Sequence, residues 1–184
     1  MKLVIIDRDG VVNEDSDEFI KSVAEWKPIP GSLEAIALLC QAGYQVYIAS
    51  NQSGIGRGLL DYDALFAIHE RLQRAVAELG GRIGGIEFAP EHPDAATEMR
   101  KPNPGMLKDL ARRLGVSLEG VSFVGDSASD VAAARAAGMR PILVLTGNGE
   151  RTKTKLKDDE LLIYKDLAEF ARTTIEQDQR PQTA

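Results

Sequence analysis

Short apolar runs alternate with amphipathic stretches along most of the chain, and this alternation is the strongest constraint on its fold. The apolar run 3–6 stops abruptly at Asp7, and the run 121–124 stops at Gly125 and Asp126. Short apolar runs that end in this way are typical of buried parallel strands. Strands that alternate with helices predict an α/β fold, a doubly wound parallel sheet with helices on both faces in three layers.

The remaining elements follow from capping residues and from the spacing of apolar side chains. The run 30–32 (Pro-Gly-Ser) opens a helix with Ser32 as its N-cap. A long helix is expected from Tyr62 to Leu79, with His69 on it as a surface or packing residue. Further strands are expected at 44–49, 86–89, 141–145 and 161–164, and further helices at 104–114, at 130–138 and near the C-terminus.

Length and composition limit the kind of protein. With 184 residues we expect one domain at 1–175 and a polar tail at 176–184. A net charge of −6 disfavours nucleic-acid partners. No apolar run reaches the roughly 20 residues of a membrane span and no signal peptide is evident, so we expect a cytoplasmic protein without membrane contact. We also expect a monomer. The lone Cys40 excludes internal disulfides.

Polar residues end three of the predicted strands. Right-handed crossovers place the ends of parallel strands along one edge of the sheet, so Asp7, Ser50 and Asp126 are expected to meet there. Asp9 follows Asp7 by two positions, and two carboxylates so close repel unless a cation lies between them or one is protonated. Carboxylate and carbonyl oxygens are the ligands that Mg²⁺ prefers. The pattern therefore predicts a magnesium site.

The order of these residues resembles the haloacid dehalogenase (HAD) superfamily of phosphotransferases. Its first motif matches the run 7–10 (Asp-Arg-Asp-Gly), its second Ser50, and its third Lys101. Its fourth motif matches the run 125–126 (Gly-Asp) together with Asp130. For Asp130, capping of the following helix and orientation of the metal shell are both open. The matched motifs cover residues 3 to 146, so the resemblance includes most of the predicted sheet.

This resemblance implies a two-step phosphate transfer. Asp7 would attack phosphorus and form an aspartyl-phosphate. Asp9 would protonate the leaving group and then take a proton from the hydrolytic water. Ser50 and Lys101 would hold the phosphoryl oxygens. The Asp7 carboxylate, the Asp9 backbone carbonyl and Asp126 would bind Mg²⁺.

Three loops resemble more closely the D-glycero-D-manno-heptose 1,7-bisphosphate 7-phosphatases, with which the histidinol-phosphatases share much of the pattern. These loops are residues 7–13, 50–58 and 100–106. The insertions after Asp9 and before Lys101 are too short for a cap domain, so we expect an open site for a sugar bisphosphate. The resemblance and charge suggest contacts from Asp15, Ser16, Asp17, Glu18, Ser50, Asn51, Gln52, Ser53, Arg57, Arg100, Lys101 and Ser127.

Arg57 and Arg100 are candidates for the second phosphate, and Arg100 is the better one because it adjoins Lys101 and a guanidinium can grip phosphate through two donors. Ser127 stands where the family often has Lys.

The loop before Lys101 departs from the family. Many relatives hold a structural zinc there through one His and three Cys, whereas this loop has no Cys, and His92 falls one position from the expected ligand. Zinc in a closed site needs four donors, and His92 with Glu91 and Glu98 is too few. We therefore predict no zinc and a loop held by its own hydrogen bonds and prolines.

Two other functions compete with the bisphosphatase. Histidinol phosphate carries a cationic amine, which acids near the pocket mouth would favour, and Asp15, Asp17 and Glu18 keep that substrate open. A catalytically inactive sugar-phosphate-binding module would be expected to have lost part of the catalytic set. Every acid and the lysine are present, which argues against that class.

Overall fold

Six parallel strands form a single sheet in the computed structural model, which describes residues 1–179. The strand order is β3-β2-β1-β4-β5-β6, and every neighbouring pair is parallel. Strand β1 therefore lies inside the sheet between β2 and β4. The strands are β1 (Lys2–Ile6), β2 (Tyr44–Asn51), β3 (Ile83–Ala89), β4 (Ser122–Gly125), β5 (Arg140–Val144) and β6 (Leu162–Tyr164).

Helices cover both faces of the sheet. On one face α1, α3 and α7 pack on residues such as Val4 and Ile6, while on the other α4 and α5 pack on Leu3 and Ile5. This alternation along β1 follows from the two-residue period of a strand, and it confirms the predicted three-layer α/β fold. The helices are α1 (Ser32–Gln41), α2 (Ser53–Gly56), α3 (Tyr62–Glu78), α4 (Gly105–Leu114), α5 (Ala128–Ala136), α6 (Gly149–Leu156) and α7 (Leu167–Gln179).

The start of α1 differs from the sequence expectation. Gly31 is the N-cap, with φ of 85°, and Ser32 is the first helical residue. The Ser32 hydroxyl donates to the Val11 carbonyl at 2.8 Å. The prediction of Ser32 as N-cap was wrong because this hydroxyl holds the loop that follows β1, leaving the cap position to a glycine that tolerates positive φ.

The C-terminal half holds two further differences. The sequence pattern did not predict α6, which buries only Gly149 and Thr152 of its residues and so lacks an apolar stripe. Helix α7 runs to Gln179, so the first four residues of the expected tail 176–184 are helical. The rest of that tail, 180–184, lies outside the described residues. No helix within 1–179 is long and apolar enough to cross a membrane.

His69 lies on the buried face of α3. Its side chain is 7% exposed, and its ring packs against those of Phe66 and Phe88 at centroid distances of 6.5 and 5.7 Å. Its Nε2 is buried with no hydrogen-bond partner within the protein. Burial, helped by the charge of Arg8, lowers the pKa of His69 to about 4. His69 is thus a neutral packing residue.

We expect the folded protein to lose stability below neutral pH through His69. Its folded pKa is lower than its unfolded value, so only the unfolded state takes up the proton as pH falls from about 6.5 to 4. The loss approaches about 3 kcal/mol at the low end of that range. Urea denaturation at several pH values, compared with His69→Leu, measures it. A difference between the two proteins that does not change with pH would contradict the expectation.

Candidate active site

The ends of β1, β2 and β4 bring together the acids and the lysine singled out in the sequence. Lys101 Nζ lies 3.0 Å from Asp7 Oδ2 and 2.6 Å from Asp130 Oδ1. Its ammonium also donates to the Ala49 carbonyl at 2.9 Å. Asp126 follows β4 directly, beside Asp7. The predicted meeting of strand ends therefore occurs, with Lys101 at its centre.

Lys101 is 2% exposed and is held by its main chain as well as its side chain. Asn51 Oδ1 accepts from Lys101 N at 3.0 Å, and Asn51 Nδ2 donates to the Lys101 carbonyl at 2.9 Å. Burial alone would lower the pKa of Lys101, but the carboxylates of Asp130 and Asp7 outweigh it and raise that pKa. The ammonium therefore keeps its charge inside the protein.

Three carboxylates form a compact cluster around this lysine. One oxygen from each of Asp7, Asp126 and Asp130 lies within 4.8 Å of the others. Burial, followed by the charge of Asp130, raises the pKa of Asp7 well above its usual value and that of Asp126 to about 7. A single ammonium does not balance three acids, and clustered carboxylate oxygens suit a hard divalent cation. The residues present therefore fit the predicted metal.

Asp130 combines two roles. Its Oδ1 pairs with Lys101, while its Oδ2 accepts from the backbone N–H of Ser127 at 3.0 Å and from the Ser127 hydroxyl at 2.6 Å. Ser127 is the N-cap of α5, and the pair forms a capping box. Asp130 thus caps the helix and also lies in the acidic cluster, so the two interpretations left open by the sequence are compatible.

The loop after β5 holds Asp126 through a hydrogen bond, a contact that the sequence pattern did not reveal. The backbone N–H of Asn148 donates to Asp126 Oδ2 at 2.7 Å, and the Thr146 hydroxyl donates to the Gly10 carbonyl at 2.6 Å. A Cβ atom on Gly10 or Gly147 would overlap the Asp126 carboxylate, and both glycines have positive φ, 78° and 55°. Only glycine fits at these two positions.

The Asp9 carboxylate accepts four hydrogen bonds. Its Oδ1 accepts from Arg8 Nε at 3.0 Å and from Asn13 Nδ2 at 2.8 Å. Its Oδ2 accepts from Arg8 Nη2 at 3.0 Å and from Gln52 Nε2 at 2.8 Å. Asn13 is oriented in turn by Trp26, whose Nε1 donates to Asn13 Oδ1 at 3.0 Å. Arg8 and Asn13 lie in the loop 7–13 that carries the family resemblance, but the sequence analysis assigned neither of them a role at the site.

A pocket opens above these groups at the carboxyl edge of the sheet. Its lining includes the catalytic candidates and, of the expected substrate contacts, Asp15, Ser16, Ser50, Asn51, Gln52, Lys101 and Ser127. It does not include Asp17, Glu18, Ser53, Arg57 or Arg100. The lining residues that the sequence analysis did not single out are Phe19, Ile20, Leu60, Ser129 and Asn148.

The two candidate phosphate-binding arginines lie outside that lining. Arg57 is exposed, with its guanidinium over the ring of Phe19 at 5.8 Å. Arg100 is half-buried and donates through Nη1 to the Glu91 carbonyl at 3.2 Å. Burial, together with the charge of Arg57, lowers the pKa of Arg100.

Hydrogen bonds hold the loop before Lys101. The Thr97 hydroxyl donates to Glu91 Oε1 at 2.5 Å, and Asn103 Nδ2 donates to the Thr97 carbonyl at 2.9 Å. His92 Nδ1 accepts from the backbone N–H of Asp94 at 3.2 Å. The expected internal bonding of this loop is therefore present.

Comparison with known proteins agrees with the geometry. A family model described as HAD-hydrolase-like matches residues 98–170. The D-glycero-beta-D-manno-heptose-1,7-bisphosphate 7-phosphatase of Pseudomonas putida is 53% identical over 175 residues, which cover 95% of this chain and 100% of that protein.

Two solved structures have the same fold. The D,D-heptose 1,7-bisphosphate phosphatase from B. bronchiseptica, complexed with magnesium and phosphate, superposes with a TM-score of 0.94 at 49% identity, covering 96% of this chain and 99% of that one. The enzyme from Burkholderia thailandensis gives a TM-score of 0.75 at 41% identity, covering 95% of this chain and 99% of that one. The chain belongs to the HAD superfamily of phosphoric monoester hydrolases, in the D-glycero-beta-D-manno-heptose-1,7-bisphosphate 7-phosphatase family.

Proposed function

We propose that this protein removes the 7-phosphate of D-glycero-D-manno-heptose 1,7-bisphosphate in the synthesis of ADP-heptose for lipopolysaccharide. The observation that carries the proposal is the Asp7 carboxylate, which lines the pocket beside the Lys101 ammonium at 3.0 Å. The names of relatives that match nearly the full chain support this substrate.

In the first step the Asp7 carboxylate attacks phosphorus and the bond from phosphorus to the leaving oxygen breaks. Asp9 gives its proton to that oxygen, so the sugar leaves as an alcohol and Asp7 carries the phosphoryl group. In the second step Asp9 takes a proton from water, whose oxygen attacks the same phosphorus. The Asp7–phosphorus bond then breaks, and phosphate and free Asp7 result.

Ser50 and Lys101 would hold the phosphoryl oxygens, and their burial at the lining of the pocket supports this role. The carboxylates of Asp7 and Asp126 and the Asp9 backbone carbonyl would hold Mg²⁺. Bound there, the cation supplies positive charge that offsets the repulsion between the anionic nucleophile and the anionic substrate.

Substrate selection falls to short loops, because residues 1–179 include no cap domain over the pocket. Asp15 and Ser16 lie at the mouth of the pocket, and Asn148 Nδ2 donates to Asp15 Oδ2 at 2.9 Å. These polar groups suit the hydroxyls of a sugar. Arg57 and Arg100, just outside the lining, are the candidates for the distant phosphate.

We expect Asp7→Asn to lower kcat for phosphomonoester hydrolysis by at least about 1,000-fold, the scale seen when a catalytic nucleophile is removed. The amide keeps the shape of the side chain but cannot attack phosphorus. Release of inorganic phosphate measures the effect, and Asp159→Asn, an exposed acid far along the chain, is the matched control. Equal rates for Asp7→Asn and the control would remove Asp7 from the nucleophilic role.

Removal of the metal tests whether the activity depends on Mg²⁺. After chelation we expect activity to disappear and to return with Mg²⁺, because the acidic cluster then regains its counter-charge.

Elemental analysis of the purified protein should show no stoichiometric zinc, since the loop around His92 offers too few donors. One zinc per chain would contradict that expectation.

Parallel assays with heptose bisphosphate and histidinol phosphate test the substrate. We expect the higher kcat/KM on the sugar bisphosphate. Of the three acids that could favour the cationic amine of histidinol phosphate, Asp15 alone lines the pocket, so Asp15→Asn is the variant that tests this preference. Faster hydrolysis of histidinol phosphate by the unaltered protein would overturn the proposed substrate while leaving the mechanism standing.

A further inference from the structure

Gln52 is a buried amide that lies between two of the proposed catalytic groups. Its side chain follows the end of β2 and is 6% exposed. Nε2 donates to Asp9 Oδ2 at 2.8 Å and to Ser50 Oγ at 2.8 Å. Oε1 accepts from Arg8 Nη2 at 3.1 Å. Both N–H bonds of the amide and its oxygen are therefore engaged within the protein.

Arg8 fixes the orientation of this amide. A guanidinium can only donate, so the Gln52 oxygen must face Arg8 and the Gln52 nitrogen must face Asp9 and Ser50. Arg8 is itself 1% exposed and binds Asp9 through two donors. Rotation of the Gln52 amide by 180° would set two donors against each other at Arg8. The hydrogen bonds to Arg8, Asp9 and Ser50 therefore allow one orientation of the Gln52 amide.

The amide joins groups that come from different strands. Asp9 follows β1, while Ser50 is on β2. One side of the Asp9 carboxylate still faces the pocket, since its side chain is 23% exposed. Gln52 thus connects the Asp9 carboxylate to the Ser50 hydroxyl through its two N–H bonds.

We propose that Gln52 is a positioning residue, which acts through Asp9 and Ser50 and is not the sugar contact that the sequence suggested. The inference rests on the proposed function of Asp9 as acid and base. Both N–H bonds of the Gln52 amide are donated to Asp9 and Ser50, which leaves no donor for a sugar hydroxyl. Loss of Gln52 would leave Asp9 present but misplaced.

Substrates with different leaving groups distinguish the possible roles of Gln52. An alkoxide needs the proton from Asp9, whereas the nitrophenolate of p-nitrophenyl phosphate leaves with little help. We would measure kcat and KM on glycerol phosphate, p-nitrophenyl phosphate and heptose bisphosphate. Gln52→Met removes the amide, Gln52→Glu keeps the shape and the acceptor for Arg8, and Asp9→Asn is the reference. Gln45→Met, at an exposed position of β2, is the matched control.

For both Gln52 variants we expect kcat on glycerol phosphate and heptose bisphosphate to fall at least about tenfold, and kcat on p-nitrophenyl phosphate less than about threefold. KM should rise by a similar factor on all three esters, because Ser50 is loosened. In the Asp9→Asn background, Gln52→Met should lower kcat on the alkyl esters no further. Gln45→Met should match the unaltered protein.

Other results would overturn the inference. Equal losses of kcat on alkyl and aryl esters would indicate a general structural role. A rise in KM confined to heptose bisphosphate would indicate a sugar contact. If Asp9→Asn itself shows no dependence on the leaving group, the acid role of Asp9 and this inference fail together. If kcat of Asp9→Asn depends on the leaving group and kcat of both Gln52 variants does not, only the inference about Gln52 fails.

Discussion

The buried ion pairs of Lys101 are the constraint on which the site depends. The ammonium contacts Asp7 and Asp130 and the carbonyl of Ala49, so it connects the end of β1, the end of β2 and the start of α5. Removing one partner of a buried pair leaves an uncompensated charge, at a cost of about 3–5 kcal/mol. This ammonium offsets part of the repulsion among the three clustered acids at the sheet edge, and a divalent cation would offset the rest.

Much of the fold was predictable because parallel strands buried on both faces are short apolar runs with polar residues at their ends. That pattern predicted the sheet, the three layers and the meeting of Asp7, Ser50 and Asp126. The meeting follows from topology alone, since every strand in such a sheet ends at the same edge. Lys101 lies in a loop, and family resemblance was needed to assign it.

The rest of the site depends on contacts that sequence spacing does not carry. Asn13 and Asn148 bind carboxylates across turns whose shape is set by Gly10 and Gly147, and the apolar wall of Phe19 and Leu60 comes from two separate loops. Half of the residues of helix α6 are charged, and the helix has no apolar period to reveal it. The roles expected for Asp17, Glu18 and Ser53 stay predictions.

The central place of β1 in the sheet has a consequence for synthesis of the chain. Chains are made from the N-terminus, so β1 emerges before the other strands, yet one of its edges pairs with β4, which emerges much later. Until then the ribosome carries a half-paired apolar strand with Asp7 and Asp9 at its end and no Asp126 beside them. The site is therefore assembled late, and a truncated product lacking β4 would expose an aggregation-prone edge.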